Sequence, residues 1–213
     1  EGKVKQLCYK AMHPHDALPG LPTVAAICVY PSMVKVAKKA LGDSGIKVAS
    51  VATAFPSGQA PRDVKLRDTR FAVNEGADEI DMVLNVGFLK SKDFDAVWKD
   101  IEAVKKCMPH QTLKVILETC YLEELEIIKA SELAIHSGAD FIKTSTGFGT
   151  GGATIHDVTL MKRVAKGLVK IKASGGVKDY NTALEYINLG VERLGTSSGI
   201  AIVTGGISDE KNY

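Results

Sequence analysis

"SGADFIKTS" (137–145) shares its frame with two other stretches of the chain, "EGADEIDMV" (75–83) and "LGVERLGTS" (189–197). Each stretch has a glycine suited to the left-handed position after a helix, then two linking residues and a strand. When the stretches are aligned on those glycines, Asp81, Lys143 and Gly195 take equivalent positions. A barrel built from repeated strand–helix units turns equivalent strand positions toward one interior layer, which an open sheet does not require. The repeat therefore favours a barrel.

Seven short, near-continuously apolar runs recur along the chain, and helical patterns separate them. The runs span 23–30, 46–53, 78–85, 112–119, 140–146, 168–174 and 192–198. A strand that is covered on both faces is apolar almost throughout, whereas a strand with one solvent-exposed face alternates apolar and polar residues. Regular alternation of such strands with helices predicts a parallel sheet, either open and doubly wound or closed as a barrel.

The helices themselves leave clear signals. The clearest pattern covers 93–108, where apolar residues recur at helical spacing. Pro31 suits the first turn of another helix, and Thr154 suits the N-cap of a third. A further helix over 1–12 precedes the first run. We expect one α/β domain over 1–213, with 203–213 as a flexible C-terminal tail that ends in Tyr213.

The composition is that of an ordinary globular protein, with 45% hydrophobic and 24% charged residues among 213. The 27 basic and 25 acidic residues are spread along the chain without a basic block, which argues against a nucleic-acid partner. No apolar run approaches a membrane span, and the N-terminus lacks the apolar segment of a secretion signal. The four cysteines are scattered and form no CxxC pair. Reduced thiols in the cytoplasm are therefore expected.

Lys143 and Lys172 interrupt apolar runs that we predict to be neighbouring strands. A single lysine at a strand end is ordinarily a surface side chain whose ammonium reaches solvent. Two such lysines, with Asp81 at the position equivalent to Lys143, favour a second interpretation. Burial and like-charge repulsion both lower the pKa of a lysine, and a neutral lysine attacks a carbonyl to form a Schiff base. Asp81 would then move protons, and Cys28, at the end of the first run, would line the pocket.

Three glycine-rich segments follow the last three predicted strands: "TGFGTGG" (146–152), "SGGV" (174–177) and "GTSSGI" (195–200). Backbone amides in such turns bind phosphate, and barrels commonly hold phosphate after their last two strands. Ordinary loop glycines are the alternative, since none of the segments matches a nucleotide-binding motif. The five histidines form no metal-binding motif, and "HPHD" (13–16) is typical of a turn-rich loop. Neither a metal nor another cofactor is expected.

Several motifs, taken together and in order, resemble deoxyribose-phosphate aldolase: "GADEIDMV" (76–83), "KVILET" (114–119), "DFIKTSTGFGTGGAT" (140–154), "KASGGV" (172–177) and "RLGTSSG" (193–199). The resemblance covers nearly the whole chain. It implies a class I aldolase on a TIM (β/α)8 barrel, which needs no cofactor. The implied reaction is the reversible cleavage of 2-deoxy-D-ribose 5-phosphate to D-glyceraldehyde 3-phosphate and acetaldehyde. Because family members are often dimers, the resemblance also implies a homodimer.

The family's functional residues carry over to this chain by motif. Lys143 in "KTSTG" matches the Schiff-base lysine, Lys172 matches the second catalytic lysine, and Asp81 matches the proton-relay acid. Thr146 matches a threonine that lines the substrate site. Phe148 stands where relatives often carry a basic residue. The positions that contact phosphate in the family match six residues here: Gly147, Gly175, Gly176, Gly195, Ser197 and Ser198.

One departure from the family's pattern leaves alternatives open. Family members usually have a strand ahead of the first helix, whereas this chain begins with the helical segment 1–12. We therefore expect a barrel that lacks its first strand and has two unpaired edges. A truncated, non-catalytic sugar-phosphate binder is one alternative. Another Schiff-base barrel enzyme, such as a different sugar-phosphate aldolase or a transaldolase, is the other.

Overall fold

Seven parallel strands and nine α-helices make up the computed structural model, which describes residues 1–15, 18 and 20–205. The strands are β1 Ala26–Val29, β2 Lys47–Ala52, β3 Glu79–Val83, β4 Thr112–Ile116, β5 Phe141–Lys143, β6 Lys170–Ser174 and β7 Arg193–Gly195. The helices are α1 Gly2–Met12, α2 Val34–Leu41, α3 Arg62–Asn74, α4 Val86–Lys90, α5 Phe94–Cys107, α6 Glu124–His136, α7 Ile155–Ala165, α8 Tyr180–Asn188 and α9 Gly199–Thr204. All seven predicted runs contain a strand.

The strands form one sheet in chain order, with β1 and β7 at its two edges. Every neighbouring pair is parallel, as right-handed strand–helix–strand units require. The sheet is strongly curled. Arg193 on β7 lies 3.1 Å from Glu79 on β3, although four inter-strand spacings of a flat sheet would separate these strands by roughly 19 Å. Within the described residues, this is a TIM barrel that lacks one strand, as the sequence predicts.

The ends of the helices follow the signals in the sequence. Thr154 caps α7, where its side chain accepts a hydrogen bond from the N–H of Asp157. Pro31 opens a short 3-10 turn that leads into α2 rather than the α-helix itself. Gly76, Gly138 and Gly190 follow α3, α6 and α8 with φ of 104°, 85° and 82°, the left-handed region that glycine adopts without strain. All three glycines of the repeat therefore have the predicted role.

The core lies between the outer face of the sheet and the helices. In α5, Val97, Ile101 and Val104 are fully buried against it, which confirms the periodicity predicted for 93–108. Of the predicted tail 203–213, Val203 and Thr204 form the last turn of α9, and residues 206–213 lie outside the described chain. None of the described helices is long and apolar enough to cross a membrane.

Candidate active site

Three residues from different strands meet inside the curled sheet. Asp81 projects from β3, Lys143 from β5 and Lys172 from β6. The Nζ atoms of Lys143 and Lys172 donate hydrogen bonds to the same oxygen of Asp81, Oδ2, at 2.8 and 3.0 Å. The side chains of Asp81, Lys143 and Lys172 are 0%, 6% and 9% exposed. The structure thus brings together the three residues that the sequence selected, and neither lysine is a surface side chain.

A third lysine joins this cluster, and the sequence analysis missed it. Lys114 on β4 is fully buried, and its Nζ lies 2.6 Å from Oδ1 of Asp81 and 2.6 Å from Oε2 of Glu79. Glu79 in turn pairs with Arg193. The signal that could have found Lys114 is the one used for Lys143, a lysine inside an otherwise apolar strand. Lys114 lies in the middle of β4, whereas Lys143 ends β5.

The cluster holds more positive than negative charge. Its four cationic side chains are Lys114, Lys143, Lys172 and Arg193, and its two carboxylates are Asp81 and Glu79. Fully ionised, the group would carry a net charge of +4 − 2 = +2 in a largely buried volume. An excess of buried positive charge favours the loss of a proton from one lysine.

Lys143 is the lysine that the surroundings favour as neutral. Burial lowers the pKa of Lys143, the charge of Asp81 opposes this, and the ammonium of Lys172 lowers it further, so that the pKa falls below its ordinary value of 10.5. Burial is also the largest influence on Lys172 and lowers its pKa, but the charge and hydrogen bond of Asp81, together with Cys28, outweigh it and the pKa rises. Of the two lysines, Lys143 is therefore the one that gives up its proton more readily.

Asp81 remains an anion despite having no contact with solvent. Burial alone would raise the pKa of Asp81, but Lys143, Lys172 and Lys114 together hold it well below its ordinary value. The carboxylate is consequently a charged hydrogen-bond acceptor that three donors share at once. Such a group can pass protons among neighbouring lysines and a bound molecule.

Glycines border this cluster at the carboxyl ends of β5, β6 and β7. Gly147, Gly175 and Gly176 all have positive φ, between 82° and 92°. A Cβ atom at Gly175 would lie 2.8 Å from the backbone of Gly152, so the two loops require this close approach. A Cβ atom at Gly195 would lie 3.0 Å from Cε of Lys172, which shows that the missing side chain leaves room for the lysine.

The remaining predicted residues occupy the same end of the sheet. Ser197 and Ser198 connect β7 to α9, and Ser198 donates its N–H to Oγ1 of Thr196 at 2.9 Å. Cys28 lies on β1 with an exposed side chain, while its neighbours Ile27 and Val29 face the core. Alternation along the strand therefore puts Cys28 on the inner face.

Thr146 begins the loop after β5. Its N–H donates to Oε1 of Glu118 at 3.1 Å, and its hydroxyl donates to Oε2 of the same carboxylate. A cavity of about 240 Å³ opens beside this contact, and both Glu118 and Thr146 line it. Across the part of the chain that the structure describes, no group of three or more His, Cys, Asp or Glu side chains could hold a metal ion. His13 and His15 of "HPHD" lie after α1, and Asp16 is outside the described residues.

Comparisons with known proteins agree with this geometry. A model of the DeoC/LacD family of aldolases matches residues 2–203. The deoxyribose-phosphate aldolase of Thermococcus gammatolerans is 52% identical over 185 residues, which cover 84% of this chain and 81% of that protein. The deoxyribose-phosphate aldolase of Brevibacillus brevis is 46% identical over 210 residues, or 99% of this chain and 91% of that protein.

A solved structure shows the same likeness in three dimensions. The aldolase QR15 superimposes with a TM-score of 0.86 at 40% identity, covering 95% of this chain and 87% of its own. The family match spans nearly all of the described strands and helices, including every residue of the lysine cluster. The chain therefore belongs to the DeoC/LacD family of aldolases.

Proposed function

We propose that this chain is a class I deoxyribose-phosphate aldolase, which reversibly cleaves 2-deoxy-D-ribose 5-phosphate to D-glyceraldehyde 3-phosphate and acetaldehyde. The observation that carries the proposal is Lys143, a buried lysine with a lowered pKa that is hydrogen-bonded to Asp81 and lies among further cations. The names of the similar proteins supply the substrate, and the lysine cluster supplies a reason for the chemistry.

The first half of the reaction forms an imine. Neutral Nζ of Lys143 attacks the C1 aldehyde of the open-chain sugar, and loss of water from the resulting carbinolamine leaves an iminium ion. Asp81 is within hydrogen-bonding distance of Nζ, accepts the proton that the nitrogen releases and returns it to the carbinolamine oxygen. That oxygen takes a second proton from solvent and leaves as water. The positive nitrogen then serves as the electron sink for the next step, so the chemistry needs no metal.

The second half breaks the C2–C3 bond, because acetaldehyde retains C1 and C2. The C3 hydroxyl loses its proton, C3 becomes the aldehyde of D-glyceraldehyde 3-phosphate, and the electron pair of the broken bond forms an enamine on Lys143. Protonation of the enamine at C2 and hydrolysis of the imine release acetaldehyde and restore the lysine. Asp81 and Lys172, which share a 3.0 Å hydrogen bond, exchange the protons in these steps.

The phosphate of the substrate would lie over the glycine-rich turns. Gly147, Gly175 and Gly176, with Gly195, Ser197 and Ser198, surround the same end of the sheet and offer backbone amides and hydroxyls as donors. Cys28 would line the pocket on the β1 side. A homodimer and a cytoplasmic location stay predictions from the sequence.

Borohydride reduction in the presence of acetaldehyde tests the central step. We expect an adduct of one reduced acetaldehyde unit on Lys143, located by peptide mass spectrometry, and no adduct in Lys143→Met. Lys47→Met, which removes an exposed lysine from β2, is the matched control and should keep both the adduct and the turnover. An adduct on a different lysine, or none in the active wild-type protein, would contradict the proposal.

A further inference from the structure

Glu118 is a buried carboxylate that the reaction scheme does not use. It follows β4 and is 3% exposed. Among residues 1–15, 18 and 20–205, no basic side chain forms an ion pair with it, in contrast to Asp81 and Glu79. A buried carboxylate without a cation is costly unless hydrogen bonds satisfy it. Its backbone also has φ 57° and ψ 60°, a left-handed conformation that is unfavourable for a residue with a side chain.

The hydrogen bonds of Glu118 go mainly to one residue. Oε1 accepts the N–H of Thr146 at 3.1 Å, and Oε2 accepts its hydroxyl. The hydroxyl oxygen of Thr146 accepts the N–H of Phe148 at 3.0 Å in turn. The proton of the hydroxyl is therefore directed at Glu118 while one of its lone pairs faces the loop, so the orientation of Thr146 is fixed through both its backbone and its side chain.

These bonds continue the pairing of β4 and β5 beyond the ends of the strands. Leu117 donates its N–H to the carbonyl of Lys143 at 2.9 Å, and Thr119 donates to the carbonyl of Thr144 at 3.0 Å. Glu118 then holds Thr146, three residues beyond Lys143. The segment that follows Lys143 is consequently held by hydrogen bonds to the residues that follow β4.

The loop also packs tightly on the turn that contains Glu118. A Cβ atom at Gly149 would lie 2.8 Å from Sγ of Cys120 and 3.3 Å from Cδ of Glu118, so a side chain at this position would force the loop or these two side chains to shift. Glu118, Thr146 and Gly149 together line the cavity of about 240 Å³. A shift of the loop would change the shape of that cavity as well as the direction of the Thr146 hydroxyl.

We propose that Glu118 is a positioning residue, which holds loop 146–149 in the conformation that receives the sugar phosphate. The proposal rests on the proposed function, in which Gly147 helps to bind the phosphate, and on the motif match that puts Thr146 in the lining of the substrate site. Glu118 itself does not touch the reacting carbons. Its role is to set the hydroxyl of Thr146 and the amides of the loop before the substrate arrives, so that binding does not have to order them.

Glu118→Gln is the sharpest test, because glutamine keeps the size of the side chain but offers one acceptor oxygen in place of two. We expect the KM for 2-deoxy-D-ribose 5-phosphate to rise about tenfold, while the rate of borohydride trapping with acetaldehyde stays within about twofold of wild type. Acetaldehyde lacks the phosphate group that the loop receives, so its reaction with Lys143 does not depend on the loop. Glu132→Gln, an exposed glutamate of α6, is the matched control and should leave KM unchanged.

Thr146→Val probes the same contact from the other side and carries the test if Glu118→Gln does not fold. We expect a similar rise in KM, and a double variant that is no worse than the single ones, because both remove one shared interaction. Unchanged KM in both single variants, or effects that add in the double variant, would overturn the role of Glu118. Failure to trap acetaldehyde on wild-type Lys143 would instead overturn the proposed function.

Discussion

Lys65 in α3 and Lys114 in β4 are both fully buried, and each donates to an aspartate at 2.6 Å. Around Lys65 the acceptor is Asp100 of α5, which, among the residues that the structure describes, is shared only with Arg62 at 2.8 Å. Around Lys114 the acceptor is Asp81, which Lys143 and Lys172 share as well. The first group joins two helices outside the sheet, and the second lies inside it. A buried lysine is therefore not in itself a sign of catalysis. What distinguishes the two groups is that Asp81 pairs with three buried lysines, whereas Asp100 pairs with one buried lysine and one half-exposed arginine.

Asp81→Asn should have the largest effect of the variants that sharpen this contrast. Removal of the relay carboxylate should lower the kcat for sugar-phosphate cleavage by about 10²- to 10⁴-fold. The charge of Asp81 raises the pKa of Lys143, so its loss should lower that pKa further and let imine trapping with acetaldehyde proceed at lower pH. Steady-state kinetics and the pH dependence of trapping would show this split. An unchanged kcat for sugar-phosphate cleavage would contradict the relay role.

Lys65→Met should weaken the fold rather than the chemistry. Because Asp100 would be left with Arg62, which is 43% exposed, as its partner, we expect a loss of about 3 kcal/mol in the free energy of unfolding. The kcat of the remaining folded protein should equal that of wild type. Urea denaturation and active-site titration by borohydride trapping measure the two quantities separately. A lowered kcat per active site would mean that the outer ion pair also supports the reaction.

Lys172→Leu should have the smallest effect on the initial imine step. The informative result is the direction in which the pKa of Lys143 moves. The ammonium of Lys172 lowers the pKa of Lys143, so its removal should raise that pKa. Since only neutral Lys143 attacks the aldehyde, the pH at which trapping is half-maximal should move upward. A midpoint that does not move, in a protein with a native-like urea transition, would argue against the coupling of the two lysines.

The sequence predicts the fold well because the relevant signals are local. Each apolar run contains a strand, and Thr154 caps α7 as its position beside an amphipathic segment indicates. The members of the cluster on β3, β5 and β6 can also be predicted from the sequence, because the repeat aligns Asp81 with Lys143 and the following strand carries Lys172.

Other parts of the site depend on geometry that no local pattern encodes. Lys114 is the third of the five residues of β4 and pairs in register with Asp81 on β3, so its place in the cluster depends on how these two strands align. The pairing of Glu79 with Arg193 depends on the curvature of the whole sheet. The contact between Glu118 and Thr146 depends on a left-handed backbone that is unusual for glutamate.

The ion pair between Arg193 and Glu79 has a mechanical consequence. It links β7 directly to β3, with two side-chain hydrogen bonds from Nη1 of the arginine at 3.3 and 3.1 Å. The five strands β3 to β7 and this pair thus form a ring of their own, and the ring contains every lysine of the cluster. This ion pair therefore stabilises the curvature on which the site depends, independently of what borders the outer edge of β1.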